Sequence, residues 1–329
     1  MLKITIVGLG QIGASIGLCL KDKPDVTRVG HDIDYTTARR AARLGAIDKV
    51  EINLPNAVTG AGIVILALPA DQMLDVFEFI QPDLEDGALV IDTGPFKQQM
   101  IALAQEKMPS NRNYVGLTPA LNPVYLHQDS RGLDAARPDL FHNSLVAIVA
   151  PQRTSPEAID AASDLVSLMG ALPLFVDPAE IDGLVAGTHL LPQLLAVALL
   201  NSVAHQPGWE DGQRVAGRSF TEAIGALQPL SGYQSLQASL LQNRENALRM
   251  VDRVITELQE MREDLDLNKT DALEQRIEAA FLSREAWLKQ RQSGAIIDQG
   301  LRPVELPSAR ESFRNLFGFN FKPKDPKKK

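Results

Sequence analysis

The chain has 329 residues, 45% of them apolar, and a formal net charge of −8 at pH 7. That length exceeds what one hydrophobic core usually organises, so two domains are expected, with ample apolar material for both. The acidic balance argues against a nucleic-acid partner. Five lysines fall in the last eight residues (KPKDPKKK), which leaves the remainder more acidic still and reads as a solvated basic tail.

The first strand and turn, KITIVGLGQIGASIG, places Gly8, Gly10 and Gly13 at the spacing of a dinucleotide-binding fingerprint. Gly8 lets the chain turn off the strand, Gly10 lets backbone approach a pyrophosphate, and Gly13 lets the following helix pack on the sheet. Leu9, Gln11 and Ile12 complete the turn, and the helix N-terminus offers unpaired N–H groups to phosphate. A second apolar strand, VTRVGHD, ends in Asp32, nineteen residues after Gly13. An acid there accepts from the adenosine ribose hydroxyls and repels a 2′-phosphate, so NAD is expected as cofactor. Arg39 and Arg40 keep NADP as the less favoured alternative. Cys19 is the one cysteine, so no disulfide can form within the chain, in keeping with a reducing cytoplasm. No metal site is expected.

Further strand-like runs follow at GIVILALP, ALVIDTG, YVGLTP, SLVAIVAP and LPLFVD, alternating with helix-like segments up to Asp177. Several are apolar throughout, as strands buried on both faces are. Leu68, Pro69 and Thr93 stand at the carboxyl ends of two of them, where ligands of open α/β sheets bind, and are assigned to the cofactor. The stretch Pro119 to Asn143 has no period and is long for a loop, which points to function or disorder.

Beyond Asp177 the pattern is helical only. The apolar stretch LVAGTHLLPQLLAVALLNSVA carries His189, Pro192 and Gln193 in its middle, and reads as a buried helix rather than a membrane span. One long helix is expected over Ser239 to Leu265, with Leu241, Leu248, Val251, Ile255 and Leu258 forming an apolar stripe for a core or a subunit interface. Another is expected over Asp271 to Gln292. The fold class is therefore α/β: a doubly wound, mainly parallel nucleotide-binding sheet over 1–177, followed by an all-helical substrate and dimerisation domain over 178–294. Loop and disordered tail are expected over 295–329. A helical domain with this much apolar face predicts a homodimer.

Laid end to end, the segments resemble the prephenate/arogenate dehydrogenase family, the NAD(P)-dependent enzymes of tyrosine biosynthesis. The phrases that carry the likeness are the glycine turn, VGHDID with ARRAARLGAID, VILALP, the D-x-G-x-x-K phrase from Asp92 to Lys97, and the Gly132 to Phe141 loop. In the second half they are IDGLVAGTHLLPQLLAVAL, GRSFTEAI and LLQNRENAL. The resemblance implies oxidative decarboxylation of a small carboxylated ring substrate. NAD takes a hydride from the carbon bearing the hydroxyl, a histidine accepts a hydrogen bond or proton from that hydroxyl, and CO2 leaves as the ring aromatises.

The sequence departs from the family where that chemistry is done. The G-x-H-P phrase that carries the catalytic histidine reads Gly116-Leu117-Thr118-Pro119, and the serine of D-x-G-S-x-K is Pro95. The H-D pair is Ile181-Asp182. An ungapped match to S-H-L-P-H puts His189 at the serine, Leu190 at the first histidine and Gln193 at the last. Arg218 matches the arginine that holds a substrate carboxylate.

Threonine is no base near neutral pH, so Thr118 is expected to hydrogen-bond substrate while His189 or Lys97 takes the proton. The alternatives are a core histidine and a structural salt bridge. Gln193, Asn122 and Arg218 are the expected substrate contacts. Two other readings stay open: a catalytically silent NAD-binding protein, and a dehydrogenase of the β-hydroxyacid type.

Overall fold

The computed structural model describes residues 1–227 and 232–293; the expected tail over 295–329 lies outside them. The chain divides into two compact units, one built on Met1–Pro178 and the other on Ala179–Lys289.

The first unit is an eight-stranded sheet. Its strands are β1 (Leu2–Val7), β2 (Val26–His31), β3 (Lys49–Val50), β4 (Ile63–Leu66), β5 (Leu89–Asp92), β6 (Asn113–Pro119), β7 (Leu145–Val149) and β8 (Leu172–Phe175). They lie in the order β3-β2-β1-β4-β5-β6-β7-β8. The first six are parallel. β7 runs antiparallel to β6, and β8 follows β7. Strand order reverses between β1 and β4, which opens a crevice beyond their carboxyl ends. β4 and β5 are buried at every position, apolar throughout except for Asp92 at the end of β5.

Connecting helices are α1 (Gln11–Cys19), α2 (Tyr35–Leu44), α3 (Leu54–Val58), α4 (Ala70–Phe79), α5 (Lys97–Lys107) and α6 (Pro156–Leu168). The expected aperiodic loop after β6 holds short 3-10 turns at Pro123–Tyr125 and Gly132–Ala135. It is pinned to α1, where Ser15 Oγ accepts from the Arg137 backbone at 2.9 Å and Cys19 Sγ donates to the Pro138 carbonyl at 3.1 Å.

The second unit is helical: α7 (Pro178–Val185), α8 (Leu191–Val203), α9 (Trp209–Val215), α10 (Arg218–Ile224), α11 (Gly232–Gln242), α12 (Arg244–Asp266) and α13 (Thr270–Ser293). The helix expected as one piece over Ser239 to Leu265 is broken at Asn243, whose side-chain amide donates to the Asp182 carbonyl at 2.7 Å. Between α7 and α8 lies a π turn, Ala186–Leu190. Pro192 gives the reason: it has no N–H to donate and its ring crowds the carbonyl four residues back, which a wider turn relieves.

Among the described residues, Pro178–Val203 is the one helix long and apolar enough to cross a membrane. The expectation that it is buried is met only in part. Ile181, Val185, Ala186 and Leu190 are buried, but α8 buries Ala196 alone. The stripe on α12 is likewise not covered among the described residues, with Leu248, Ile255 and Leu258 about half exposed. Apolar residues run right round α8, and the described helices of this unit leave most of them at least partly exposed.

Candidate functional site

The glycine turn joins β1 to α1. Gly8 has φ +90°, and a Cβ there would stand 2.3 Å from the Ala67 carbonyl oxygen. A Cβ on Gly13 would stand 2.0 Å from the Gly8 carbonyl oxygen, so these two glycines are demanded by the fold itself. Gly10 is different: a Cβ there would meet no described atom within 4 Å. The open space lies at the N-terminus of α1, where Gly10 supplies no side-chain cap. The first N–H groups of the helix, at Gln11 and Ile12, are thus left for an anion.

Asp32 follows β2 directly. Its Oδ2 accepts from the Leu9 N–H at 2.8 Å and its Oδ1 from the Asp34 N–H at 2.9 Å. Asp34 in turn caps α2 through Thr36 N and Thr37 N at 2.9 and 3.1 Å. The two cations that kept NADP in view are engaged elsewhere. The Arg39 guanidinium lies 5.8 Å above the Tyr35 ring, and Arg40 is paired with Asp134. Across the crevice, Leu68 and Pro69 lead into α4, and Thr93 N–H donates to the Leu66 carbonyl at 3.0 Å. The residues present fit a dinucleotide: a phosphate cradle that a Cβ would fill, and a carboxylate beside it.

Beyond β5 and β6 the structure buries a polar cluster. Asp92 Oδ1 accepts from Lys97 Nζ at 2.6 Å and from Gly94 N–H at 2.8 Å, while Tyr114 OH donates to Oδ2. Lys97 also donates to the Gly94 carbonyl at 2.9 Å. All three side chains are closed to solvent. A Cβ at Gly116 would sit 2.8 Å from Lys97 Cδ, so the lysine stem fills the place of a side chain on β6. Lys97 therefore stands in the structural salt bridge that its position allowed. Tyr114 had no motif to announce it.

Thr118 lies two residues further along β6, and its hydroxyl is buried without a hydrogen-bond partner among the described residues. Such an orphan carries a desolvation cost until something bonds to it. Asn122 is buried and spends its side chain on the loop, accepting from Val124 N–H at 3.2 Å and donating to the Asp139 carbonyl at 3.1 Å. His127 is exposed.

In the helical unit His189 is reachable by solvent, with protein packed against part of its ring. Protein crowded around its ring disfavours the charged form and lowers its pKa. Gln193 donates to the His189 carbonyl at 2.8 Å, satisfying a group of the π turn. Arg218 opens α10 and is exposed. It makes no ion pair among the described residues.

Residues 16–173 match the family model described as prephenate dehydrogenase, nucleotide-binding domain. The match begins past the glycine turn, so the turn is independent support for nucleotide binding. The prephenate dehydrogenase of Bacillus subtilis (strain 168) is 27% identical over 296 residues, 89% of this chain and 78% of that protein. The cyclohexadienyl dehydrogenase of Zymomonas mobilis is 28% identical over 267 residues, 79% of this chain and 87% of that protein. Among solved structures, prephenate dehydrogenase from A. aeolicus in complex with hydroxyphenyl propionate and NAD+ superposes with a TM-score of 0.75 at 19% identity, over 87% of this chain and 98% of that one. Synechocystis arogenate dehydrogenase gives 0.67 at 21%, over 87% and 100%. At these identities the structural likeness is one of fold.

Proposed function

The chain belongs to the prephenate/arogenate dehydrogenase family, and on that premise we propose that it is an NAD-dependent dehydrogenase of tyrosine biosynthesis, oxidatively decarboxylating a prephenate- or arogenate-type ring. The observation that carries this reading is the joined glycine turn and Asp32, with open space at Gly10. Gly8 to Gly13 hold the pyrophosphate, Asp32 the adenosine ribose, and Leu68, Pro69 and Thr93 line the way to the nicotinamide. Bound NAD supplies the hydride acceptor. NAD is preferred to NADP because two carboxylates, Asp32 and Asp34, stand where a 2′-phosphate would need a cation.

Arg218 offers a planar fork to a substrate carboxylate. Thr118 contributes one hydrogen bond to the reacting ring, which its unsatisfied hydroxyl favours. Asn122 acts by holding the loop beside it, Gln193 by bracing the π turn, and Lys97 by fixing the ends of β5 and β6. The uncovered stripes on α8 and α12 support a homodimer through the helical unit, in a soluble, cytoplasmic protein.

The test is turnover of prephenate and of arogenate with NAD, followed as NADH formation, with Arg218→Lys alongside. Lysine keeps the charge and loses the fork, so the substrate KM should rise at least about tenfold, one such step being about 1.4 kcal/mol of binding, with NAD affinity unchanged. NAD binding without turnover of either substrate would favour a silent NAD-binding protein. Light scattering showing a monomer at micromolar concentration would remove the dimer.

A further inference from the structure

Within the nucleotide-binding unit, the loop between β6 and β7 meets α2 around a cavity of about 180 Å³, lined by Arg40, Leu44, Leu133, Asp134, Ala136 and Arg137. That is below the roughly 300–1,000 Å³ of drug-sized sites, so its occupant is small. Leu133 and Ala136 are buried and Leu44, in the last turn of α2, is about half exposed, which gives the cavity an apolar part. The charged part is two arginines and one acid. Arg40 is paired with Asp134, so that carboxylate is already neutralised.

Arg137 is placed differently. Its backbone N–H donates to Ser15 Oγ at 2.9 Å, and its Nη1 donates to the Asp134 and Ala136 carbonyls, both at 2.8 Å. Those two bonds use both N–H groups of Nη1 and hold the guanidinium plane. Bracing the turn therefore leaves Nε and Nη2 over, and neither has a hydrogen-bond partner among the described residues. Their adjacent N–H groups form the edge of the plane that grips a carboxylate through two parallel bonds.

We propose that this cavity is a binding site for a small monocarboxylate with an apolar body. Arg137 takes the carboxylate through Nε–H and Nη2–H, and the body rests on Leu44, Leu133 and Ala136. A second charge on the ligand would be pressed against those apolar walls at a desolvation cost, which selects against dicarboxylates. The occupant touches α2, which follows Asp32, and the loop that follows Thr118, so it ties the two together. The site stands on its own geometry and goes beyond the dehydrogenase reading.

The experiment uses the full-length chain and phenylacetate as probe. Calorimetric titration should give saturable binding with a Kd on the order of 1 mM, the range open to a ligand of so few atoms. Phenylacetamide, which has the shape without the charge, and acetate, which has the charge without the body, should each bind at least about tenfold more weakly. Arg137→Gln should weaken phenylacetate by a similar factor. Leu44→Glu should do the same while leaving Arg137 and its turn untouched, so it decides the matter if Arg137→Gln fails to fold. Arg218→Gln should leave the affinity unchanged, which separates this site from the proposed substrate contact. Hydrogen exchange at residues 132–137 should slow when phenylacetate is bound. No saturable binding, equal binding of phenylacetamide, or binding lost in Arg218→Gln and kept in Leu44→Glu overturns the inference.

Discussion

The Leu9 N–H donates to Asp32 Oδ2 at 2.8 Å, so the middle of the glycine turn and the acid at the end of β2 are one hydrogen-bonded piece. Asp32 holds the turn in shape, in addition to the ribose contact proposed for it. Asp32→Ala should therefore weaken both dinucleotides somewhat, because the Leu9 N–H loses a partner at a cost of about 1–3 kcal/mol. NAD should lose more than NADP, since only NAD loses ribose hydrogen bonds without relief of phosphate repulsion. Calorimetric titration of both cofactors checks this; equal losses would remove Asp32 from discrimination.

The glycines of the turn should separate by experiment. Gly13→Ala puts a methyl 2.0 Å from a backbone oxygen and should lower the melting temperature of the free protein. Gly10→Ala meets nothing within 4 Å and has φ −74°, so the fold should be as stable as the parent. Its NAD affinity should nevertheless fall at least tenfold, because the methyl occupies the space left for the pyrophosphate. Thermal melts with and without NAD distinguish the two.

Lys97→Met leaves the Asp92 carboxylate buried without its cation. Breaking a buried pair from one side costs about 3–5 kcal/mol, so the urea midpoint of the nucleotide-binding unit should fall sharply. Lys97→Met combined with Asp92→Asn should recover part of the loss, since no uncompensated charge remains. A single variant as stable as the parent would show that the pair contributes little to folding.

Cys19 gives a pH prediction of definite sign. Burial pushes its thiol pKa up to about 12, and the thiolate is the reactive form. Alkylation of the folded protein should stay slow through pH 9 and become fast only on unfolding. Since the chain has one cysteine, labelling by mass spectrometry reads this directly; rapid labelling at pH 8 in the folded state would contradict it.

The strands were readable because fully buried strands are apolar without alternation, as β4 is throughout and β5 is up to Asp92. β3 escaped notice because two residues, Lys49 and Val50, carry no pattern. The glycine turn and Asp32 were legible for the opposite reason, that their conformational demands admit few residue types. The Asp92 cluster was half legible. The lysine sits in the same phrase as the aspartate, but Tyr114 is 22 residues away on another strand and joins them only once the sheet has formed. The break at Asn243 was hidden because the apolar period runs through it, and a side-chain bond to the Asp182 carbonyl was needed to see it. The leucine stripe on α12, expected for a core or a subunit interface, is about half exposed among the described residues. Amphipathicity marks a face as apolar and does not say what, if anything, covers it.

The π turn at Ala186–Leu190 bears on how this chain is compared with others. A wide turn is how a helix absorbs one more residue than its regular winding allows, so the residues before it and after it are out of angular phase with those of an unbroken helix. Carrying positions across the segment without a gap assumes that the other helix has the same extra residue in the same place. If it does not, correspondences that are right on one side of the turn are wrong by one on the other. Whether Thr188-His189 answers to a serine-histidine pair elsewhere is thus a matter of superposing backbones, and counting letters will not decide it.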